Sequence, residues 1–496
     1  MRLLLIVDFH FSVLPTDPTR LCRLASDTLV TFPKLAKIVL VTPEKAVRPD
    51  FLALLRSLGR PLRFVVDEAH CILEWGDFRP AYNALGLLKE TFPQSRILAM
   101  TGTASHASAS EIARALRCPA ARIVLGDVDR AEISYQARSD RNGRSVRHAF
   151  DSLFELLARH QSETGIVFVA SVRSCELIVE AIRERFGMEL TAATYHARVS
   201  CKEKLARARQ WASGAVKVMV ATSAFGMGIN NLSCRFVIHL QMPPSLTALQ
   251  QESGRAGRDG RSSVSYLLAT RSDHAIWAPV MSKSAREQVV KQAGGVAPSL
   301  PVFRSKIFDT TVPRHQRIEE VWLYASLQCC RRWILSAGVS AVCAAPVSQR
   351  LCGSKAPCDH CQTQTHESPR VDASQHAQLV HDIVLEMYDK GITVTVEGVI
   401  GVFMRSARVF DELKRLGTYG ENCRESLFLK PTARLGAYLV SVLIARGNLL
   451  LLVLPPDIMR DNDEDEDEDD PMEQQRWRHY FSLRLGTPLT LPLYYF

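Results

Sequence analysis

Asp67 and Glu68 stand at the end of an apolar run, RFVVDEAH (63–70). An aspartate so placed can hold Mg²⁺ beside a nucleotide's phosphates, and a glutamate next to it can orient or deprotonate an attacking water. His70 is close enough to relay changes at the phosphates to a neighbouring loop. Just beyond it, WGDFRP (75–80) crowds Trp75, Phe78 and Arg79 together. Aromatic rings there can stack on bases and the guanidinium can meet phosphate, or the rings can belong to the core. A third candidate is QQESGRAGRDG (250–260), with Arg255 and Arg258 among three glycines. A spacing of three predicts that both arginines share one face of a helical turn. Guanidinium groups in a fixed fork suit the charge on a departing γ-phosphate. On its residues alone the loop is equally an exposed basic turn. Finally, cysteines crowd near residue 350 and end in Cys358 and Cys361, a two-residue gap that lets two thiolates reach one Zn²⁺.

These residues need elements to hold them. Short apolar runs stop abruptly at small or polar residues: KIVLVTPE (37–44), RFVVDEAH, RILAMTGTA (96–104), TGIVFVAS (164–171), VKVMVATSAFGMG (216–228) and CRFVIHL (234–240). Unbroken apolar character predicts strands buried on both faces, as in parallel sheets. Helical patterns such as FDSLFELLARH (150–160) and SCELIVEAIRERF (174–186) separate them, so the class is α/β. Ligands of such sheets collect outside the carboxyl ends of the strands, where this chain puts its polar residues. The pattern occurs twice, over 37–135 and 146–275, with a polar hinge candidate between (136–145). A helical region follows (276–365), then a helix-and-wing pattern (372–496).

The chain has 496 residues and a net charge of +9. DNDEDEDEDD (461–470) holds nine acids, and setting them aside doubles the charge of the remainder to +18. A basic body suits a polyanion such as nucleic acid, and it also aids solubility. The acidic run reads as a solvated loop that repels DNA or binds a basic partner. No apolar run reaches the roughly 20 residues that span a bilayer. In MRLLLIVDFHF the apolar core is broken by Asp8, which argues against a secretory signal. Thirteen cysteines without such a signal argue against a disulfide framework.

DEAH (67–70), MTGTAS (100–105), YHA (195–197), VATSAFGMGIN (220–230), RFVIHLQMPPS (235–245) and QESGRAGRDG (251–260) occur in the order found in superfamily 2 helicases, and the chain resembles the RecQ branch in particular. The resemblance is strong over 37–365 and weak beyond. It implies two RecA-like lobes with ATP and Mg²⁺ between them, served by Asp67, Glu68, His70 and Gly228 and by Gln251, Arg255 and Arg258. The loop holding Trp75, Phe78 and Arg79 would sense single-stranded DNA, with His196 as a further DNA contact. RecQ-like proteins carry a four-cysteine zinc site that begins with Cys-Arg-Arg. That implies Cys330, Cys352, Cys358 and Cys361 as ligands and leaves Cys329, Cys343 and His360 aside. The C-terminal domain would be a winged helix in which Lys430, Arg434 and Arg446 meet phosphates, although winged helices also bind proteins. The implied activity is 3′-to-5′ unwinding of DNA, at single strands and duplex junctions, in repair and recombination. It would take place in the nucleus, or in the cytoplasm of a prokaryote.

The sequence departs from that pattern in three places. Cradling phosphates takes a glycine-rich loop with a lysine, GxxxxGK[ST], and no Gly-Lys dipeptide occurs in the chain. Residues 1–36 show neither that loop nor the family's adenine-reading segment, so the first lobe is expected to be incomplete and the sequence to lack an N-terminal part. The histidine usual within the aromatic loop is absent, and Asn230 stands where the family has aspartate.

Overall fold

The computed structural model describes residues 3–7, 21–24, 38–59, 62–74, 80–102, 106–126, 129–139, 146–223, 225, 231–270, 272–293, 300–327, 329–339, 352, 356–363, 371–390, 392, 394–406, 411–416, 418, 433–446, 448–453, 481–485 and 494–495. They divide into two compact units, one within Met1–Val128 and the other comprising Asp129–Phe225 and Asn231–Phe496.

The first unit is built on a five-stranded sheet of β1 (Leu3–Val7), β2 (Leu21–Leu24), β3 (Ile38–Val41), β4 (Leu62–Val66) and β5 (Arg96–Ala99). Every pairing is parallel, in the order β2-β3-β1-β4-β5. Strands β3, β4 and β5 fall on the predicted apolar runs. The N-terminal segment differs from expectation: it supplies two strands, and β1 takes the central place beside β4, with Val7 opposite Val66. LLLIV is apolar and branched enough to sit between two strands, so the sheet closes without the missing loop. Val39, Val41, Phe51, Leu55, Phe64 and Leu88 lie in its core.

The second unit carries six parallel strands, β6 (Ile133–Ser139), β7 (Thr164–Phe168), β8 (Ala192–Tyr195), β9 (Val218–Ala221), β10 (Cys234–His239) and β11 (Ser263–Ala269), in the order β6-β11-β10-β7-β9-β8. Here too the sequence reading needs correction. It ends the first lobe at 135 and places a hinge from 136, whereas β6 runs through Ser139 and pairs with β11 from Ile133 to Ser139. The alternation of ISYQARS disguises the strand, because an edge strand need not be apolar on both faces. Gly165 is required in β7, since a β-carbon there would meet the Phe236 ring at 2.3 Å. Its carbonyl accepts a 3.0 Å hydrogen bond from the buried Trp211 indole. Ser171 caps the helix Val172–Phe186, and Ser200 with Glu203 forms a capping box on Cys201–Ala212.

Beyond β11 the helices Asp273–Gln292, Leu300–Ser326, Arg331–Ala337, Asp359–Thr363, Ser374–Asp389, Val396–Met404 and Ala433–Ala445 follow. The short strands β12 (Val371–Asp372) and β15 (Tyr494–Tyr495) pair antiparallel, as do β13 (Leu449–Val453) and β14 (Phe481–Leu485). The last pair lies within the C-terminal region 372–496. One apolar cluster runs from Ile133 and Leu267 through Leu323, Trp333 and Cys358 to Val384, Leu439 and Leu449. The helical region therefore shares its core with the second sheet. No helix among the described residues is long and apolar enough to cross a membrane.

Candidate active site and cysteine cluster

In the first unit the quoted motifs gather at the carboxyl edge of the sheet. β3 leads into Thr42, whose hydroxyl caps the helix Pro43–Ala46. β4 delivers Asp67 and Glu68, with Asp67 Oδ1 accepting from the Glu68 amide at 2.9 Å. The ladder to β5 continues past the strand ends: Met100 donates to Val66 and Ala69 donates to Met100, each at 2.9 Å. Glu68 has φ +47°, left-handed backbone that a side chain seldom adopts. His70 is buried, and its Nδ1 lies 3.0 Å from the Thr101 hydroxyl and 3.4 Å from Glu68 Oε2. Burial pushes the imidazole down to about 4, so it is neutral near pH 7 and neighbours Glu68 as a hydrogen-bonding group. A physical link thus joins the acid loop to the loop after β5. The Thr101 partner of His70 is not legible from spacing, although it lies inside MTGTAS (100–105).

The acids are of the right type to hold Mg²⁺ and activate water. The cradle for the phosphates is another matter. β1 is the central strand beside β4, where a phosphate loop would begin in such a sheet. The sequence that follows it, DFHFSVLPTD (8–17), contains neither glycine nor lysine.

In the second unit, Gln251 lies in the helix Leu246–Ser253, and the arginines follow that helix. The predicted shared helical face does not form: the helix stops at Ser253, and Gly257 turns the chain at φ +65°. Arg255 is buried and Arg258 exposed as a consequence. The helix is held from below by His239, whose Nε2 lies 2.9 Å from Glu252 Oε2 while its ring stacks on Phe168. Ser253 and Ser265 hydroxyls are 2.7 Å apart. Arg130 donates to the carbonyls of Gly254 and Ala256, each at 3.1 Å, and pairs with Glu132. Neither residue carries a signal in the sequence, because DRAE has no periodicity or motif. His196, at the end of β8, is 4% exposed, its Nε2 3.9 Å from Glu176. Burial lowers its pKa.

The sulfurs of Cys330, Cys352, Cys358 and Cys361 lie within 4.8 Å of one another, with Cys330 and Cys352 3.5 Å apart. A tetrahedral ZnS₄ centre with Zn–S bonds of about 2.3 Å has sulfurs about 3.8 Å apart, so the four fit such an ion. Cys329 is separate, its thiol directed to the Cys330 carbonyl. Two of the thiols, Cys352 and Cys361, have a raised proton affinity. Hydrogen bonds with Cys330 and Cys358 raise that of Cys352, and burial leads in pushing Cys361 up to about 12. A cation among them relieves this by stabilising the thiolates. Arg331, fully enclosed, donates to both carboxylate oxygens of Asp359 at 2.9 and 3.2 Å and to the carbonyls of Tyr324 and Leu327.

Arg446 is partly buried at the end of the helix Ala433–Ala445, and Arg434 lies in its first turn. Trp75, Phe78, Arg79, Gly228, Asn230, Cys343, Lys430 and the acidic run 461–470 lie outside the described residues.

Residues 21–112 match the DEAD/DEAH box helicase family, and residues 148–260 match the helicase conserved C-terminal domain. The chain is 36% identical over 243 residues to the ATP-dependent DNA helicase Q-like 4B of Arabidopsis thaliana, covering 48% of this chain and 20% of that protein. It is 35% identical over 241 residues to the ATP-dependent DNA helicase RecQ of Pasteurella multocida (48% and 36%). To the RecQ of Haemophilus influenzae it is 31% identical over 300 residues (60% and 44%). The chain thus spans less than half the length of these relatives. It carries a DEAD/DEAH-box helicase domain followed by a helicase C-terminal domain, and its curated relatives are RecQ-family ATP-dependent DNA helicases.

Proposed function

We propose that this chain is a RecQ-type helicase polypeptide whose activity is ATP-driven 3′-to-5′ separation of DNA strands in repair and recombination, and that these 496 residues alone turn over ATP weakly or not at all. The supporting observation is the acid loop: Asp67 and Glu68 at the carboxyl end of β4, tied through His70 to Thr101. In this reading Asp67 holds Mg²⁺, which would neutralise phosphate charge. Glu68 orients water, and Arg255 and Arg258 serve the γ-phosphate. The cysteine cluster holds a structural Zn²⁺. The C-terminal helices with β13 and β14 act as a winged helix, which presents Lys430, Arg434 and Arg446 to duplex junctions. Trp75, Phe78, Arg79 and His196 meet single-stranded DNA.

Weak turnover follows from what comes after β1. Without Gly-Lys, most of the amide and ammonium contacts to the β- and γ-phosphates are missing. The same observation favours a second reading, a non-catalytic DNA-binding protein that acts through its second lobe and C-terminal region.

The test is ATP hydrolysis by the 496-residue protein with and without single-stranded DNA. Rates within a few-fold of buffer, with DNA bound tightly in a salt-dependent way, are expected. Robust DNA-stimulated turnover abolished by Glu68→Gln refutes the weak-turnover statement and establishes the enzyme reading. Stimulation by RNA in preference to DNA refutes the choice of substrate.

A further inference from the structure

The cysteine cluster and the arginine loop are joined by a short chain of contacts that neither family motif contains. Arg332 is 5% exposed and follows the first cysteine of the cluster by two residues. Its guanidinium donates to the Ala356 carbonyl, between Cys352 and Cys358, at 3.0 Å. On its other side it pairs with Asp129 and donates to the carbonyls of Arg130 and Ile133 at 3.0 and 2.6 Å, over the Tyr135 ring. The segment 129–133 is therefore clamped to the cysteine loop. From that same segment Arg130 reaches the opposite way, to the carbonyls of Gly254 and Ala256. Glu132 adds a floor: the Ser263 amide bonds its carbonyl at 2.9 Å, and a β-carbon on Gly257 would meet Glu132 Cγ at 2.9 Å.

We propose that Arg332 and Arg130 are positioning residues that make the geometry of the Gly254–Gly260 loop, and so of Arg255 and Arg258, depend on an intact thiolate–metal cluster. The physical reason is economy of contacts. Gly254 and Gly257 give the loop little stiffness of its own, and two charge-assisted bonds from one guanidinium fork fix two of its carbonyls at once. That fork is aimed only while Arg332 holds the main chain behind it. Arg332 in turn leaves its place if the Cys330 end of its helix comes free. Loss of the ion would reach the arginines through two side chains and five residues of backbone. This reading adds regulation to the proposed hydrolytic site and rests on Arg255 and Arg258 acting at the triphosphate.

The test is hydrogen–deuterium exchange on the whole 496-residue protein without nucleotide, so a failed hydrolysis assay leaves its outcome intact. Three states are compared: Zn²⁺-loaded, chelator-treated, and Zn²⁺-loaded Arg130→Gln. The amides of Gly257 and Gly260 bond to the carbonyls of Cys234 and Gly257 and report on the loop. Both treatments should speed their exchange roughly tenfold to a hundredfold, while β8 and β9 exchange as before. Adding Zn²⁺ back should restore the chelated protein, and Arg130→Lys, with its charge but no fork, should fall between. Unchanged loop exchange in Arg130→Gln, or after a chelation that frees Arg331–Ala337, overturns the proposal. So does chelation that exposes β8 and β9 equally, because the cluster would then support the whole unit rather than this loop.

Discussion

Replacing Glu68 by glycine should make the protein more stable than replacing it by glutamine. Both changes remove the carboxylate and its 3.4 Å approach to His70. Only glycine also relieves the backbone, which at φ +47° lies in the left-handed region. A β-carbon there costs roughly 1–2 kcal/mol. Glycine gives back about 0.5–1 kcal/mol through the extra freedom of its unfolded chain. The expected net advantage of Glu68→Gly over Glu68→Gln is therefore about 0–1.5 kcal/mol, centred on about 0.75 kcal/mol. Urea titration followed by a first-unit probe would read it as a higher midpoint at unchanged slope. The comparison matters because a strained residue persists where the surroundings over-determine it, which is characteristic of reactive sites. The fold has an easy alternative in glycine, and the chain carries a carboxylate. A lower midpoint for Glu68→Gly would show that the loop bears no strain at this position and remove strain from the case for Glu68 as a chemical residue.

Purified protein should contain close to one zinc per chain by elemental analysis, and Cys358→Ser should lose both the metal and much of the second unit's stability; zinc-free protein of unchanged stability would refute the ligand set. Arg331→Met should cost about 3 kcal/mol, because it removes the counter-ion of the Asp359 carboxylate and the donor to two carbonyls; a loss under about 1 kcal/mol in denaturant titration would show that the Asp359 contacts are dispensable. Stability of the first unit should fall as pH drops from about 6.5 to about 4, since the unfolded His70 takes up a proton there that the buried ring refuses, and it should be fully present above that window. The loss amounts to about 3 kcal/mol, and His70→Gln should flatten it. An unaltered slope in that variant would mean the ring is not held neutral. The second unit is a poorer reporter, because burial pushes His315 down to about 3 but Asp273 up to about 6, with opposite signs.

The sequence by itself settled the class of the fold, because runs such as IVLV, FVV and VMVA are apolar at every position and suit strands covered on both faces. It also settled which residues end those strands, and hence where Asp67, Glu68 and the Thr101 loop lie. The cysteine set was legible too, given the Cys-Arg-Arg that opens it. Tertiary structure alone decided the rest. MRLLLIV lies in the segment 1–36 that the sequence pattern leaves outside the first lobe, yet β1 pairs between β3 and β4; strand pairing is a property of two segments, and one segment's pattern does not name its partner. ISYQARS looked like the approach to a hinge and is the edge strand that fixes Arg130 and Glu132 beneath the arginine loop. Arg255 and Arg258 are spaced for one helical face, but their relative burial depends on where the helix stops, and that is set by Gly254, Gly257 and the fork of Arg130. Periodicity reports what a segment does to its own neighbours in sequence. The hydrogen bonds from Arg130 to Gly254, from Arg332 to Asp129 and between His70 and Thr101 span 31 to more than 200 positions, and only the folded chain brings those residues together.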